Sequence, residues 1–300
     1  MRSSSSVRIN AKEKTVSEIL QCFENSRFED GELVELEVLN SDLEYIGYKS
    51  FGDLAQLFFL KMLTPTSYKD ETTLRFVKLS QEASFHKSQK NTETYGVQSE
   101  FFAIDKTAQF SFLYHYQKAL QFIDLKNRKT ILNVGINKGD EFRVIKDMLS
   151  EEEFSAKELL GIDYSESAIA YAQQTFSHPN TRFVCHDINT LHELSLGRFS
   201  LLVSIGTLQS SSMNFNETFM SLYQNHLEKD GAIVLGFPNC RWIEGEMIYG
   251  AKAPNYSFSE MSLVLKDIHF CKKYLQQKKY RVVITGKDYL FLSARKITIA

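Results

Sequence analysis

The sequence is poor in cysteine and proline, and its cysteines show no pairing pattern. Among its 300 residues there are four Cys and four Pro, and the cysteines stand singly at positions 22, 185, 240 and 271. A disulfide framework or a zinc site needs closely spaced cysteines or a nearby histidine, so neither is expected and the thiols are predicted to be reduced. We therefore expect no metal site.

Long apolar runs and an excess of charge of one sign are also absent. No run approaches the ~18 apolar residues of a membrane span, and the first residues do not resemble a secretory signal, which predicts a cytoplasmic protein without a membrane partner. The 35 basic and 37 acidic residues leave a net charge of −2, so there is no global positive field for a nucleic acid. With 43% hydrophobic residues, the chain has enough apolar side chains to bury a core.

The patterning changes near residue 105 and predicts two domains. In residues 1–105, helix-spaced apolar residues cover 16–23 and 51–63, whereas 32–39 and 74–85 are strand-like. This favours a small α+β domain that serves as a substrate lid or an assembly surface. The polar stretch 87–94 is predicted to be a loop, and an aromatic-rich helix over 108–123 leads into the second domain, residues 106–300.

From residue 129 onward, short apolar runs alternate with helical patterns, which predicts an α/β domain with a parallel sheet covered on both faces. The last two runs, 281–285 and 289–294, are separated only by residues 286–288. That connection is too short for a parallel crossover, so an antiparallel hairpin is expected at the edge of the sheet. The predicted strands are 129–134, 159–162, 182–185, 199–205 and 232–237, and the predicted helices are 140–149, 165–176, 215–227 and 258–277.

Three predicted strand ends carry residues suited to a nucleoside. Gly135 and Gly139 follow the first strand, with Asn137, a residue that tolerates positive φ, between them. Asp163 ends the next strand, where a carboxylate accepts hydrogen bonds from ribose hydroxyls, and Asp187 ends the third. An ordinary tight turn at the glycines and a helix cap at Asp163 are the simpler alternatives.

As a set, these segments resemble the class I S-adenosylmethionine-dependent methyltransferases, from about residue 129 to 294. The matching segments are ILNVGINKG, GIDYSESAIAYAQ, FVCHDINTL, FSLLVSIGTLQS and LEKDGAIVLGFPN. The resemblance implies a seven-stranded Rossmann-like sheet and S-adenosyl-L-methionine as cofactor. It implies cofactor contacts from the glycine loop, from the ribose acid and its neighbour, from the adenine-binding residues and from the end of strand four: Asn133, Gly135, Asn137, Gly139, Asp163, Tyr164, Asp187, Ile188, Ser204 and Gly206.

The sequence departs from the family pattern at two positions. Asn133 stands where the family usually has an acid, and Asn137 where it has glycine. A cofactor-free relative is therefore one alternative. A nicotinamide-binding domain is another, but its fingerprint requires glycines at 135, 137 and 140, of which only Gly135 is present.

Two nucleic-acid chemistries lack their motifs. The loop after strand four, residues 204–211, has no Asn/Asp-Pro-Pro-aromatic motif of the kind that adenine-N6 enzymes use. Cys240 stands near the place of a cytosine-C5 nucleophile, but the accompanying Thr-Cys and Pro-Cys pairs are absent, so a packed thiol is favoured. A small-molecule or protein acceptor is therefore the first choice. An RNA methyltransferase that uses its N-terminal domain to bind RNA is the second, and a catalytically silent binding protein the third.

An insertion over 238–256 holds the single Trp and, by the resemblance, shapes the acceptor pocket. A packed surface insertion with the Trp in a core is the equal alternative. Methyl transfer needs mainly alignment of the acceptor, so no catalytic base is named, and the oligomeric state is left open. The candidate substrate residues are Gln209, Asn239, Arg241, Trp242 and Tyr249.

Overall fold

The computed structural model describes residues 6–80, 96–97, 99–210, 212–250 and 261–297. The chain forms two compact units, one of Met1–Ser88 and Trp242–Ile248, the other of Gln89–Arg241 and Tyr249–Ala300. The structural division thus lies earlier than the boundary predicted near 105, and it assigns to the first unit a segment of the insertion that follows residue 238. The loop predicted over 87–94 lies outside the described residues.

The first unit is a four-stranded sheet packed with helices. Its sheet has the order β1-β2-β4-β3, with β1 parallel to β2 and the other pairs antiparallel. Alternate residues of β2 are buried, as the sequence pattern predicted, and they pack with Phe23, Phe51 and Phe76. The strands are β1 (Ser6–Asn10), β2 (Leu33–Leu39), β3 (Leu60–Tyr68) and β4 (Glu71–Lys78), and the helices are α1 (Val16–Asn25), α2 (Asn40–Ile46) and α3 (Tyr48–Leu57).

The helix predicted over 51–63 was too long. It ends at Leu57, Phe59 takes a positive φ of 55°, and β3 begins at Leu60. The apolar residues from Leu60 onward belong to a strand whose register shifts between Leu63 and Thr66. Pro65 lies within that irregularity, where its missing N–H costs no ladder hydrogen bond.

The second unit contains the predicted α/β sheet. Its sheet strands are β5 (Thr130–Val134), β6 (Glu158–Asp163), β7 (Thr181–Cys185), β8 (Phe199–Ile205) and β9 (Leu227–Pro238). A separate hairpin, β10 (Cys240–Ile243) and β11 (Glu246–Tyr249), follows β9, and its residues Trp242–Ile248 belong to the first unit. The strands β12 (Tyr280–Gly286) and β13 (Tyr289–Lys296) complete the seven-stranded order β12-β13-β9-β8-β5-β6-β7. Strand β13 runs antiparallel to both of its neighbours, which confirms the Rossmann-like sheet and its terminal antiparallel hairpin.

Helices and short turns connect these strands. The helices are α4 (Glu100–Ala103), α5 (Phe110–Phe122), α6 (Asp140–Asp147), α7 (Glu151–Ser155), α8 (Glu166–Thr175), α9 (Phe215–Ser221) and α10 (Ser262–Gln277). A π-helical turn, Leu222–His226, continues α9, and 3₁₀ turns cover Lys106–Ala108, Leu125–Asn127 and Ile188–Glu193. Every residue of the central strand β8 is buried, as expected for a strand covered on both faces.

Six of the seven strands run in the same direction, so their carboxyl ends meet at one edge of the sheet. These are β5, β6, β7, β8, β9 and β12, and only β13 is reversed. In an open α/β sheet, ligands bind outside this edge. Within the described ranges, no helix is long and apolar enough to cross a membrane.

Candidate functional site

The glycine loop follows β5 and turns sharply across the end of the sheet. Gly135, Asn137 and Gly139 have positive φ values of 82°, 47° and 89°. The backbone N–H groups of Gly135 and Ile136 both donate to the carbonyl of Ile162, at 2.7 and 3.1 Å. These bonds hold the loop against β6.

Position 135 has no room for a side chain. A Cβ built on it would lie 1.8 Å from Oγ1 of Thr207, which belongs to the loop after β8. Any other residue would push these two loops apart as well as strain the backbone. The glycine loop and the loop after β8 are therefore in close contact at the carboxyl edge.

Asp163 joins the glycine loop to the end of β6. Its Oδ2 accepts from the backbone N–H of Asn137 at 2.8 Å, and its Oδ1 accepts from that of Ser165 at 3.0 Å. Its residue is only 8% exposed, and this burial raises the pKa of the carboxyl, an effect opposed by the backbone donors. The cap of α8 is Ser165, whose Oγ accepts from the N–H of Ala168. Asp163 therefore has a role distinct from capping.

Three amide side chains near this edge have buried polar atoms without partners in the described chain, and the third is Asn239, which follows β9 and whose Oδ1 is unpaired. Asn133 is fully buried in β5, and neither its Nδ2 nor its Oδ1 has a hydrogen bond within the described chain. The Oε1 of Gln209, in the loop after β8, is also buried and has no hydrogen-bond partner among the described residues. A buried polar group left unpaired costs about 1–3 kcal/mol, so the positions of Asn133 and Gln209 are suited to a polar ligand atom.

The other predicted cofactor residues lie at neighbouring strand ends. Asp187 follows β7 and its Oδ1 accepts from the N–H of Asn189 at 2.9 Å, while Ile188 is buried beside it. Tyr164, after β6, is 53% exposed. Ser204 is buried and donates to the carbonyl of Val134 at 3.1 Å, so its hydroxyl is used within the sheet.

Gly206 follows β8 and adopts a φ of 78°. Its N–H donates to the carbonyl of Gly236 in β9 at 2.8 Å. The sequence thus identified residues at the ends of β5, β6, β7 and β8 that the fold places along one edge.

Sequence reasoning missed a strap, residues 99–108, that crosses the same edge. Nζ of Lys138, in the glycine loop, donates to the carbonyls of Phe102 and Ile104 at 3.0 and 2.8 Å. The ring of Phe102 packs edge-on against Tyr171 of α8, with centroids 4.9 Å apart. A lysine inside a glycine-rich loop was the only sequence signal for this contact.

The strap also supplies a cation to the buried start of α6. Nζ of Lys106 lies 2.5 Å from Oε1 of Glu141, a residue that is 1% exposed. Burial raises the pKa of Glu141, Lys106 opposes the shift and Asp140 adds to it. The buried Tyr116 hydroxyl has a raised pKa for the same reason, burial first and Glu141 second.

The predicted substrate residues that follow β9 are divided between the two units. Trp242 is buried, at 6% exposure, in the segment that belongs to the first unit. Arg241, Asn239 and Tyr249 belong to the second unit, where Asn239 is buried and its N–H donates to the carbonyl of Asp288 at 2.7 Å. Tyr249 is 43% exposed.

Cys240 is a packed thiol. It is buried, and burial raises its pKa to about 12, with Asp288 adding to the effect. Such a thiol stays protonated at neutral pH and is a poor nucleophile. Across the described ranges, no cluster of His, Cys, Asp and Glu is arranged to hold a metal ion.

The residues at the carboxyl edge fit a nucleoside cofactor with an amino-acid tail. The Asp163 carboxylate accepts from the backbone N–H groups of Asn137, Tyr164 and Ser165, and since a carboxylate has about four acceptor sites, capacity remains for a hydroxyl donor. The unpaired amide of Asn133 offers both a donor and an acceptor beneath the glycine loop. Ile188 gives an apolar surface at the end of β7.

Comparison with known proteins agrees with this geometry. The model of a family described as a methyltransferase domain matches residues 131–231, which run from β5 into β9. No curated protein matches the chain.

Solved structures similar to the chain include two methyltransferases. One is an S-adenosylmethionine-dependent methyltransferase from Aquifex aeolicus, with 14% sequence identity and a TM-score of 0.46. The alignment covers 70% of this chain and 100% of that protein. The N-methyltransferase NodS from Bradyrhizobium japonicum, solved with S-adenosylhomocysteine, is 16% identical over 69% of this chain and 97% of that one, with a TM-score of 0.47. At these scores the likenesses carry no information about the acceptor.

Proposed function

We propose that the second unit is a class I methyltransferase domain that uses S-adenosylmethionine as its cofactor, and that the chain methylates a small molecule or a protein side chain. The observation that carries the proposal is the joint between the glycine loop and Asp163, made by the 2.8 Å hydrogen bond from the N–H of Asn137. This bond holds the ribose acid and the loop in one arrangement. Preorganised groups of this kind bind a ligand without reordering.

When bound, the cofactor supplies an electrophilic methyl group on a sulfonium. In the proposal, Asp163 accepts from the ribose hydroxyls, and Ile188 covers the base while Asp187 meets its edge. Asn133 and Gln209 pair their buried amide atoms with the polar groups of the amino-acid portion. The protein's contribution to the reaction is then alignment of the acceptor, with no dedicated base.

The choice of acceptor rests on what the chain offers near this edge. Cys240 is a neutral thiol at physiological pH, which speaks against a covalent cytosine mechanism. The loop after β8 carries Thr207, Leu208 and Gln209 instead of a base-binding motif. A small molecule or a protein side chain fits these groups better than a flipped base does.

The test is calorimetry of the wild-type chain with S-adenosylhomocysteine, followed by transfer of a labelled methyl group to candidate small molecules and peptides. We expect micromolar or tighter binding of S-adenosylhomocysteine. Complete absence of binding would indicate a catalytically silent member of the fold. Binding with transfer only to RNA would replace the proposed acceptor class.

A further inference from the structure

A cleft lies at the end of the seven-stranded sheet that is opposite the carboxyl edge. It encloses about 290 Å³, and its lining includes Arg198, Tyr223, Lys229 and Lys296. Arg198 precedes the start of β8, Lys229 lies in the first residues of β9, and Lys296 ends the antiparallel β13. The cleft is therefore at the amino ends of the parallel strands, away from the glycine loop.

The lining of this cleft is cationic. Its three cations face a single lining carboxylate, that of Glu228. Burial lowers the pKa of Lys296, and the charges of Lys229, Lys278 and Lys279 lower it further, while Asp230 opposes them. Such crowding of like charges is unfavourable, and a bound anion would relieve it.

Two of these cations, Arg198 and Lys296, are held in position by backbone carbonyls, which do not neutralise their charge. Arg198 donates to the carbonyl of Leu227 at 2.6 Å, and Nζ of Lys296 donates to that of Lys278 at 2.8 Å. Lys296 also lies 4.4 Å from the centroid of the Tyr280 ring. Within the described residues, none of the lining cations is in an ion pair with a carboxylate.

The wall between Tyr223 and Leu227 has an unusual backbone. Residues Leu222–His226 form a π-helical turn, which brings Tyr223 and Gln224 to the cleft. Such turns are rare and frequently occur at functional sites. The cleft thus combines oriented cations, an aromatic ring and an amide side chain.

We propose that this cleft binds the phosphate oxygens of a phosphate-bearing ligand. A guanidinium and two ammonium groups are the donors that proteins use for phosphate, and their attraction is local, so it does not require a net positive chain. The ligand is either a free polyphosphate or the backbone of a single-stranded RNA. This site is separate from the cofactor edge and does not depend on methyl transfer.

The test measures binding of two probes to the full chain. Tripolyphosphate is titrated by calorimetry, and a fluorescent oligouridylate of about 12 nucleotides is titrated by anisotropy. Both titrations are made at about 50 and 200 mM salt, because phosphate contacts weaken as salt rises. Tighter binding of tripolyphosphate assigns a free ligand, and tighter binding of the oligonucleotide assigns an RNA backbone.

Lys229→Glu is the informative variant. Lys229 is exposed, so the substitution reverses a charge of the lining without removing a structural hydrogen bond. Lys266→Glu is the matched control, an exposed lysine on α10 outside the lining. We expect Lys229→Glu to weaken binding at least tenfold and Lys266→Glu to change it less than twofold, with the affinity for S-adenosylhomocysteine unchanged in both. No binding of either probe to the wild type at the lower salt, or equal losses in the two variants, would overturn the proposal.

Discussion

Asp163 combines two tasks at the scale of a single residue. Its carboxylate ties the glycine loop to β6, and it is the proposed acceptor for the ribose hydroxyls. We expect Asp163→Ala to weaken S-adenosylhomocysteine binding by about 1.5–3 kcal/mol, because charge-assisted hydrogen bonds are lost. Calorimetry gives the affinity, and a thermal melt gives the loss of stability that accompanies the broken backbone contacts.

Ser165→Ala is the control for that experiment. It removes the cap of α8 and is expected to cost about 1 kcal/mol of stability without touching the carboxylate. Its affinity for S-adenosylhomocysteine should stay near the wild-type value. If Asp163→Ala and Ser165→Ala lose the same affinity, Asp163 has only a structural role.

The Lys106–Glu141 pair predicts a dependence of stability on pH. Burial raises the folded-state pKa of Glu141 above its ordinary value of 4.5, so folding favours the protonated carboxyl. The stability that this group contributes is therefore fully present below pH 4.5 and is lost as the pH rises through the folded-state pKa. Lys106→Met removes the charge that opposes this shift. The variant should lose stability more steeply than the wild type from pH 4.5 towards neutrality.

Urea denaturation at a series of pH values measures this effect. At neutral pH, Lys106→Met should cost about 3 kcal/mol because it leaves a buried charge unpaired, whereas Lys106→Met/Glu141→Gln should recover most of that loss. Equal pH profiles for Lys106→Met and the double variant would show that the carboxyl is solvated in solution.

At the scale of elements, the glycine loop is defined by its contact with the loop after β8. Gly135→Val places a branched side chain where Thr207 already lies, so we expect binding of S-adenosylhomocysteine to be abolished and the melting temperature to fall. Asn137→Gly should keep both properties, because glycine adopts the observed positive φ at least as readily. Normal binding by Gly135→Val would make the loop an ordinary turn.

The predictable elements were those with a strong local pattern. The seven strands of the larger sheet and the helices α6, α8, α9 and α10 follow from alternating apolar runs, whereas α7 and the hairpin of β10 and β11 were not predicted. Asp163 could be identified because its strand end is marked by GID before a helix. The strap was not predictable, because Lys138 contacts the carbonyls of residues more than thirty positions earlier. Long-range contacts to backbone atoms leave no pattern in side-chain type.

The insertion after β9 shows the same limit. Its Trp242 was predicted to face the acceptor, with a core position as the equal alternative, and the structure buries it with the first unit. A four-residue strand is too short for its apolar pattern to show whether a side chain packs in a core or lines a pocket.

Trp242→Ala is therefore expected to destabilise the chain. Truncation of a buried Trp typically costs about 3–5 kcal/mol, which a thermal melt detects directly. Tyr249→Ala, at the exposed end of the same hairpin, should change stability by less than about 0.5 kcal/mol. A stable Trp242→Ala variant with reduced methyl transfer would restore Trp242 as an acceptor residue.

At the scale of the whole molecule, the chain passes three times between two units that each have a core. Phe23, Leu36 and Phe76 belong to one hydrophobic cluster, and Leu132, Ile233 and Phe237 belong to another. The chain leaves the second unit after Arg241, contributes Trp242–Ile248 to the first, and returns at Tyr249. Each unit therefore has a core of its own, and a ligand that binds one unit stabilises that unit directly by mass action.

Hydrogen exchange with and without S-adenosylhomocysteine tests this division. At about 100 times its dissociation constant, the ligand should add about 2.7 kcal/mol to the opening free energy of the segments that unfold with its site. We expect slower exchange in the glycine loop, in β6 and in the strap, because all three meet at the carboxyl edge. Peptides from β2 and β4 report on the first unit and should be unchanged. Equal protection of β2 and the glycine loop would show instead that the two units open together as one cooperative body.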